Sequence, residues 1–137
     1  MIKYLLIMTT EDKELLLKDL CARLPYEVIV DYSYNAFDGR THGQECILDC
    51  DLLDTFISPR LDEEGEYIKP YLFPLSSMTE EQRQEAESLA EVIKVPMYGE
   101  FLSPTPKYYD WLNENHFDYR GLIPKGLAID ATNLNIY

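Results

Sequence analysis

The run from Tyr108 to Ile123, Tyr-Tyr-Asp-Trp-Leu-Asn-Glu-Asn-His-Phe-Asp-Tyr-Arg-Gly-Leu-Ile, is the densest patch of large side chains in the sequence. Six of its sixteen residues are aromatic when His116 is counted, and the only tryptophan, Trp111, lies within it. Rings of this size dominate cores and interfaces, so the remainder of the chain has to supply a surface for them to pack on. A chain of 137 residues is long enough to do so as one domain, residues 1–137, without disulfide or metal staples. Its 46% hydrophobic and 12% aromatic content is that of a globular protein rather than a disordered one.

The charge balance narrows the partners. Twenty-five acidic residues against twelve basic ones leave a net charge of −13 and no Lys/Arg cluster. Such a chain repels phosphate backbones and anionic lipid surfaces, so neither nucleic acid nor membrane is expected as a partner. The apolar run Met1–Met8 is too short for a membrane span, and no small-residue cleavage site follows it before Glu11 and Asp12. Three cysteines, an odd number, make a poor disulfide framework and suit a reducing compartment. The expectation is a cytoplasmic protein.

Local patterns predict an α+β fold: an N-terminal helix, a small curved antiparallel sheet able to close into an SH3-like barrel, and two C-terminal helices. Residues 2–8 read as a short strand. Leu16, Leu17, Leu20, Cys21 and Leu24 recur at spacings of three and four, with acids at 11, 12 and 14, which predicts a helix over 10–23 ended by Pro25. Residues 26–34, rich in β-branched and aromatic side chains, predict a strand turned by Asp38-Gly39 into a second at 44–50. A third is expected at 54–58 and a fourth at 66–69, with a charged loop from Pro59 to Gly65 between them. Ser77 and Glu80 match a capping box opening a polar helix over 79–93. Residues 95–102 read as extended, Thr105-Pro106 as the start of the last helix, and 127–129 as a closing strand.

Three pieces carry a resemblance: residues 11–26, EDKELLLKDLCARLPY; residues 68–81, IKPYLFPLSSMTEE; and residues 110–128, where Asp110-Trp-Leu-Asn-Glu-Asn-His-Phe-Asp-Tyr-Arg-Gly-Leu-Ile123 leads to Lys125-Gly-Leu-Ala128. Together they resemble an uncharacterised family of small proteins encoded by phages and prophages of gut bacteria. The resemblance implies a setting, an accessory protein of a mobile element in the bacterial cytoplasm, and carries no activity.

No segment has a catalytic spacing: a Gly-rich phosphate loop, a Ser nucleophile elbow and a Cys/His pair are all missing. His42, Cys46 and Cys50 share strand parity, but neighbours four apart on a strand lie roughly 13 Å from each other, too far for one zinc ion. Asp49, Asp51 and Asp54 lack the glycine a calcium loop needs, so no metal or cofactor is expected. His116, Asp118, Tyr119 and Arg120 form the candidate ligand site, with Asp118 and Arg120 equally able to serve as a local ion pair or cap. Eleven tyrosines make contact surfaces the other candidate, because tyrosine is large, stiff and wet at one end. The expected partner-binding residues are Tyr32, Tyr34, Tyr108 and Tyr109, with the loop acids Asp62, Glu63 and Glu64. The leading expectation is a non-enzymatic module that binds a host protein or another copy of itself through an acidic, tyrosine-rich surface. The alternative is a protein that sequesters a nucleotide-type small ligand, or a small enzyme, with its pocket near His116, Asp118 and Arg120.

Overall fold

The computed structural model describes residues 8–35, 40–57 and 66–137. Its architecture is α+β. Helix α1, Thr10–Arg23, is capped by Thr9, whose hydroxyl accepts from the Asp12 N–H at 3.1 Å, and carries Glu11 and Asp12 at its positive end. Its inner face buries Leu16, Asp19, Leu20 and Arg23. A short 3₁₀ turn containing Pro25 ends it. Strands β1, Ile29–Asn35, and β2, Thr41–Ile47, pair antiparallel from Ile29 opposite Ile47 to Asn35 opposite Thr41. Helix α2 spans Cys50–Ile57 and strand β3 Tyr67–Pro74. Helix α3, Glu80–Ser88, is followed by strands β4, Glu91–Val95, and β5, Gly99–Ser103. Helix α4, Pro106–Glu114, precedes two short strands, β6, Phe117–Asp118, and β7, Ile129–Asp130.

The main sheet is mixed where the sequence predicted an antiparallel one. Its order is β2-β1-β3-β6, with β7 also on β3; β1 lies antiparallel to β3, while β6 and β7 run parallel to it. Pro70 marks the change of partner. It is the last β3 residue opposite β1, and the parallel pairing with β7 begins at Tyr71. A residue without an N–H is tolerated in a central strand at such a break in the ladder. Among the described residues β2 pairs with β1 alone, so the strands form an open sheet and not a closed SH3-like barrel.

Several predicted elements are placed differently. The strand expected at 54–58 is helix α2, because the Asp49 carboxylate accepts from the Leu52 N–H at 2.8 Å as an N-cap, and Leu52, Leu53 and Phe56 then repeat at helical spacing. The capping box belongs to Thr79 and Gln82, not Ser77 and Glu80; the Ser77 hydroxyl donates instead to the Pro74 carbonyl. Helix α3 stops at Ser88 because Val92, Ile93 and Val95 favour a strand, and the extended run expected at 95–102 is the second half of a hairpin. Residues 2–7, the Asp38-Gly39 turn and the 59–65 loop lie outside the described residues.

Two apolar clusters build the core. The larger joins Leu16 and Leu20 of α1 to Val28, Val30, Leu48, Phe56, Ile68, Leu72 and Leu122. The smaller holds Ala86, Trp111, Leu112 and Phe117, with Trp111 stacked on Phe117 at 5.7 Å between ring centres. Between α1 and the segment after α4 lies an ionic cluster. Asp19, fully buried, accepts from Arg23 Nε at 2.8 Å and from Arg120 Nη1 at 2.9 Å. Arg23, also fully buried, donates through Nη2 to the Phe117 carbonyl at 2.6 Å.

Two substitutions test this core. Trp111→Ala is expected to cost roughly 3–5 kcal/mol, the usual loss for a buried large aromatic, read from urea denaturation. Asp19→Ala is expected to cost a similar 3–5 kcal/mol, because it leaves the buried Arg23 guanidinium without its counter-charge. An unchanged urea midpoint for either variant contradicts the corresponding packing.

Candidate functional site

The four residues expected to form a ligand site do not converge on one. Asp118 is buried, and both its oxygens are used at 2.9 Å by backbone N–H groups, those of Leu122 and Ile123, so it shapes the turn after β6. Arg120 is committed to Asp19 and stacks over the Tyr119 ring at 4.6 Å. The Tyr119 hydroxyl donates to Asn113 Oδ1 at 3.0 Å. Asp118 thus takes the capping role the sequence left open for it, whereas Arg120 forms no local pair with it and is held by Asp19 instead.

His116 alone of the four lines a cleft. It sits just past the Asn115 C-cap of α4 in the left-handed region, with φ of 64°, where glycine is the usual occupant. Its ring stacks on Tyr137 at 3.7 Å and 11°, and the Tyr137 hydroxyl donates to the Tyr71 carbonyl at 2.8 Å while accepting from the Ile29 N–H at 2.9 Å. Nδ1 of His116 and Nη1 of Arg23 are both buried without a hydrogen-bond partner among the described residues. Burial, with the charge of Arg23 adding to it, pulls the imidazole pKa down to about 4, and burial pushes the Tyr137 phenol up to about 12. The open cleft of about 490 Å³ around them is bordered by Phe73, Gln82, Glu114, Asn133 and Thr132. With neutral amides, hydroxyls and a single carboxylate, it suits an uncharged polar ligand with an apolar side better than a phosphate, for which it offers no cation.

The expected tyrosine surface is divided. Tyr32 is half-buried against the larger core cluster, and Tyr34 stacks on His42, its cross-strand neighbour, at 5.8 Å. Tyr108 and Tyr109 meet edge-on at 5.6 Å, and Tyr109 leans on Tyr119 at 5.2 Å. Asp62, Glu63 and Glu64 fall outside the described residues. A carboxylate–phenol group that sequence reading missed lies on the sheet. Asp31 and Glu45 are cross-strand partners, and the hydroxyls of Tyr67 and Tyr71 donate to them at 2.9 and 3.2 Å. Burial and the two carboxylates push the Tyr71 phenol up to about 12. Cross-strand register brings these four together, and register is invisible before the pairing is known. Cys50 lies on α2 rather than on the strand of His42 and Cys46, and among the described residues no three His, Cys, Asp or Glu side chains are grouped to hold a metal ion.

The largest feature missed in the sequence is the β4–β5 hairpin. Of the thirteen exposed large hydrophobic residues among those described, seven lie in it: Val92, Ile93, Val95, Met97, Tyr98, Phe101 and Leu102. No residue of 91–103 belongs to either core cluster, and within the described residues β4 and β5 pair only with each other. Its turn follows type II geometry, with Pro96 second, Met97 third at φ 75°, and the Tyr98 N–H donating to the Val95 carbonyl at 3.0 Å. Met97 is fully exposed and Tyr98 is 77% exposed. The hairpin is nonetheless tied at its foot, where the Thr105 hydroxyl donates to the Leu89 carbonyl at 2.5 Å while capping α4 through the Tyr108 N–H. Leu89 itself packs on the smaller core cluster. The signal that could have revealed the hairpin is the three β-branched residues Val92, Ile93 and Val95 followed by Pro96 and Gly99.

No family model, no curated protein and no solved structure matches this chain. Among the described residues no helix is long and apolar enough to cross a membrane.

His116 gives a pH prediction with a definite sign. Its folded-state pKa of about 4 lies below the ordinary 6.5, so unfolded chains take up the proton first. The stability contributed by the neutral ring is complete above pH 6.5 and is lost as pH falls through the window down to about 4. The loss is about 2 kcal/mol once solvent screening of a half-buried ring is allowed for. His116→Gln is expected to remove this part of the pH dependence of stability, and an NMR titration of wild type to show the His116 imidazole still neutral at pH 5.5. A midpoint near 6.5 contradicts the burial.

Proposed function

We propose that this chain is a non-enzymatic protein-binding module whose contact element is the β4–β5 arm. The observation that carries the reading is seven large apolar side chains held in solvent on a two-stranded sheet clamped to the body by Thr105. Soluble proteins seldom keep so large an apolar patch uncovered, and isolated hairpins are at best marginal in water, so the arm gains its full stability when something covers it. Met97 supports the reading a second time. A β-unbranched but non-glycine residue held at positive φ costs on the order of 1 kcal/mol, and here that strain presents a flexible thioether at a hairpin tip.

The acidic body acts as a filter. With a net charge of −13, it turns away polyanions at long range and leaves proteins as the partners able to reach the arm. The role thus shifts from the tyrosine and carboxylate surface read from sequence to an apolar arm carried by an acidic body. Its setting follows from the sequence resemblance: an accessory protein of a mobile element, working in the bacterial cytoplasm on a host protein or on its own kind. A second reading, sequestration of a small ligand, has one observation in its favour: the strained His116 beside its cleft, since unfavourable backbone geometry clusters at binding sites.

The two readings separate by photo-crosslinking. A benzoylphenylalanine placed at Tyr98 is expected to give a discrete adduct with a protein, a second copy included, in bacterial lysate, whereas the same probe at exposed Glu85 on α3 gives none. Phe101→Glu in the Tyr98 probe protein is expected to reduce the adduct at least tenfold. If the arm probe captures no protein, and a small-molecule thermal-shift screen finds a stabiliser whose effect His116→Ala abolishes, the binding-module reading fails and the cleft takes its place.

A further inference from the structure

We infer that the arm's partner is a second copy of this chain, packed arm against arm about a two-fold axis. This rests on the arm being the contact element and adds what occupies it. The cross-strand register sorts the arm into two unlike faces. Ile93 is opposite Phe101 and Val95 opposite Gly99, which puts Ile93, Val95 and Phe101 on one face. Val92 and Leu102 share the other face with Lys94 and Glu100, whose side chains pair at 3.6 Å in solvent. The face with the ion pair is suited to water. The face of Ile93, Val95 and Phe101 has no charge except Glu91 at its base, and it is the one to be covered.

Three observations fit a copy of the same chain. The first is area. Ile93, Val95, Phe101 and the tip residues Met97 and Tyr98 leave roughly 700 Å² accessible at ordinary side-chain areas, close to the about 800 Å² that each partner contributes to a stable interface. The second is charge. Residues 91–103 hold two acids and one base, a net of −1 in a chain of −13, so the arm is where two such chains approach with least repulsion. The third is spacing. Two hairpins packed antiparallel hold their bodies apart by about the length of a five-residue strand, roughly 17 Å, which is about twice the screening length of 8 Å at physiological salt. In this arrangement the tip of each arm, Met97 and Tyr98, reaches the foot of the other, where Leu89 and Thr105 clamp it. A two-fold contact of this kind closes on itself, which leaves a dimer and no filament.

Sedimentation equilibrium of the full chain from 1 to 100 μM tests the inference. Wild type is expected to be dimeric in 0.15 M NaCl and to associate several-fold more tightly in 0.5 M than in 0.05 M NaCl, because salt screens the repulsion between two acidic bodies. Phe101→Glu sets like charges against each other at the centre of the covered face and is expected to weaken association at least tenfold with the circular dichroism of the body unchanged. Met97→Gly, which relaxes the turn while removing the tip side chain, is expected to weaken it about fivefold and guards against misfolding of the first variant. A monomer at 100 μM in all three salts overturns the inference, as does a dimer untouched by both substitutions, or a monomer that binds zwitterionic phosphatidylcholine vesicles through the arm. If the chain is monomeric while the Tyr98 probe captures a different protein, the binding-module reading stands and the second copy alone is wrong.

Discussion

One buried carboxylate holds the fold in register. Asp19 sits between two guanidinium groups, those of Arg23 on its own helix and Arg120 a hundred residues on, so that α1 is joined to the stretch following α4 by charge-assisted bonds in a dry setting. Carrying these groups out of water is expensive, and the pairing offsets it through Nε and Nη2 of Arg23 and Nη1 of Arg120, while Nη1 of Arg23 stays without a partner among the described residues. Arg23 reaches the Phe117 carbonyl, and both guanidiniums lie over the Tyr119 ring, at 5.4 and 4.6 Å. Such a network is weak evidence for net stability and strong evidence for a specified geometry. With Phe117 held from behind by Arg23, its ring meets Phe73 on β3 and Trp111 on α4, and His116 just before it adopts the left-handed conformation that follows the Asn115 C-cap.

The body and the arm obey opposite rules. Among the described residues of the body, the buried charges Asp19, Arg23 and Asp118 each have a specific partner, and most buried apolar side chains fill two contiguous clusters. In the arm, charges stay in water and apolar side chains stay there with them. What allows the two to coexist in one chain is the clamp at Thr105, whose hydroxyl closes the hairpin's foot and starts the helix carrying Trp111. A single small side chain therefore couples the ordering of the exposed hairpin to the packing of the smaller core cluster. The cleft at His116 lies at the far end of the same helix, so α4 has one candidate surface at each terminus.

Elements defined by local chemistry were legible in the sequence. Helix α1 announces itself through leucine spacing, first-turn acids and Pro25, and the start of α4 through Thr105-Pro106. Strand β1 follows from its β-branched and aromatic residues. The failures have two causes, ambiguous local signals and distant partners. Asp49 turns a run of apolar residues into a helix by capping it, and nothing local distinguishes that run from a buried strand. The parallel strands β6 and β7 have only two residues each and exist because β3 offers them a ladder. At the candidate site, a cluster of reactive residue types in five positions proved to be two structural anchors, a phenol bonded to Asn113 and one histidine at a cleft. Adjacency in sequence says little about which way each side chain is sent. The arm was missed because Val92 and Ile93 read as the end of the helix over 79–93 and residues 95–102 as merely extended, and exposure depends on what the rest of the chain fails to cover.

The change of partner at Pro70 carries a consequence for how the chain acquires its shape. Upstream of Pro70 the central strand is paired by a segment that precedes it, and downstream by segments made much later, Phe73 with Phe117 and Tyr71 with Ile129. Closing loops of that length delays the contacts that reward them, and parallel pairing is slow for the same reason. During synthesis the half of β3 beyond Pro70, Tyr71-Leu-Phe-Pro74, therefore waits unpaired while α3, the arm and α4 are still being added. A newly made chain passes through a state with two apolar ladders open to neighbours, one transient in β3 and one lasting in the arm. Crowding of nascent copies on one message is then the condition under which the wrong ladder is most easily joined.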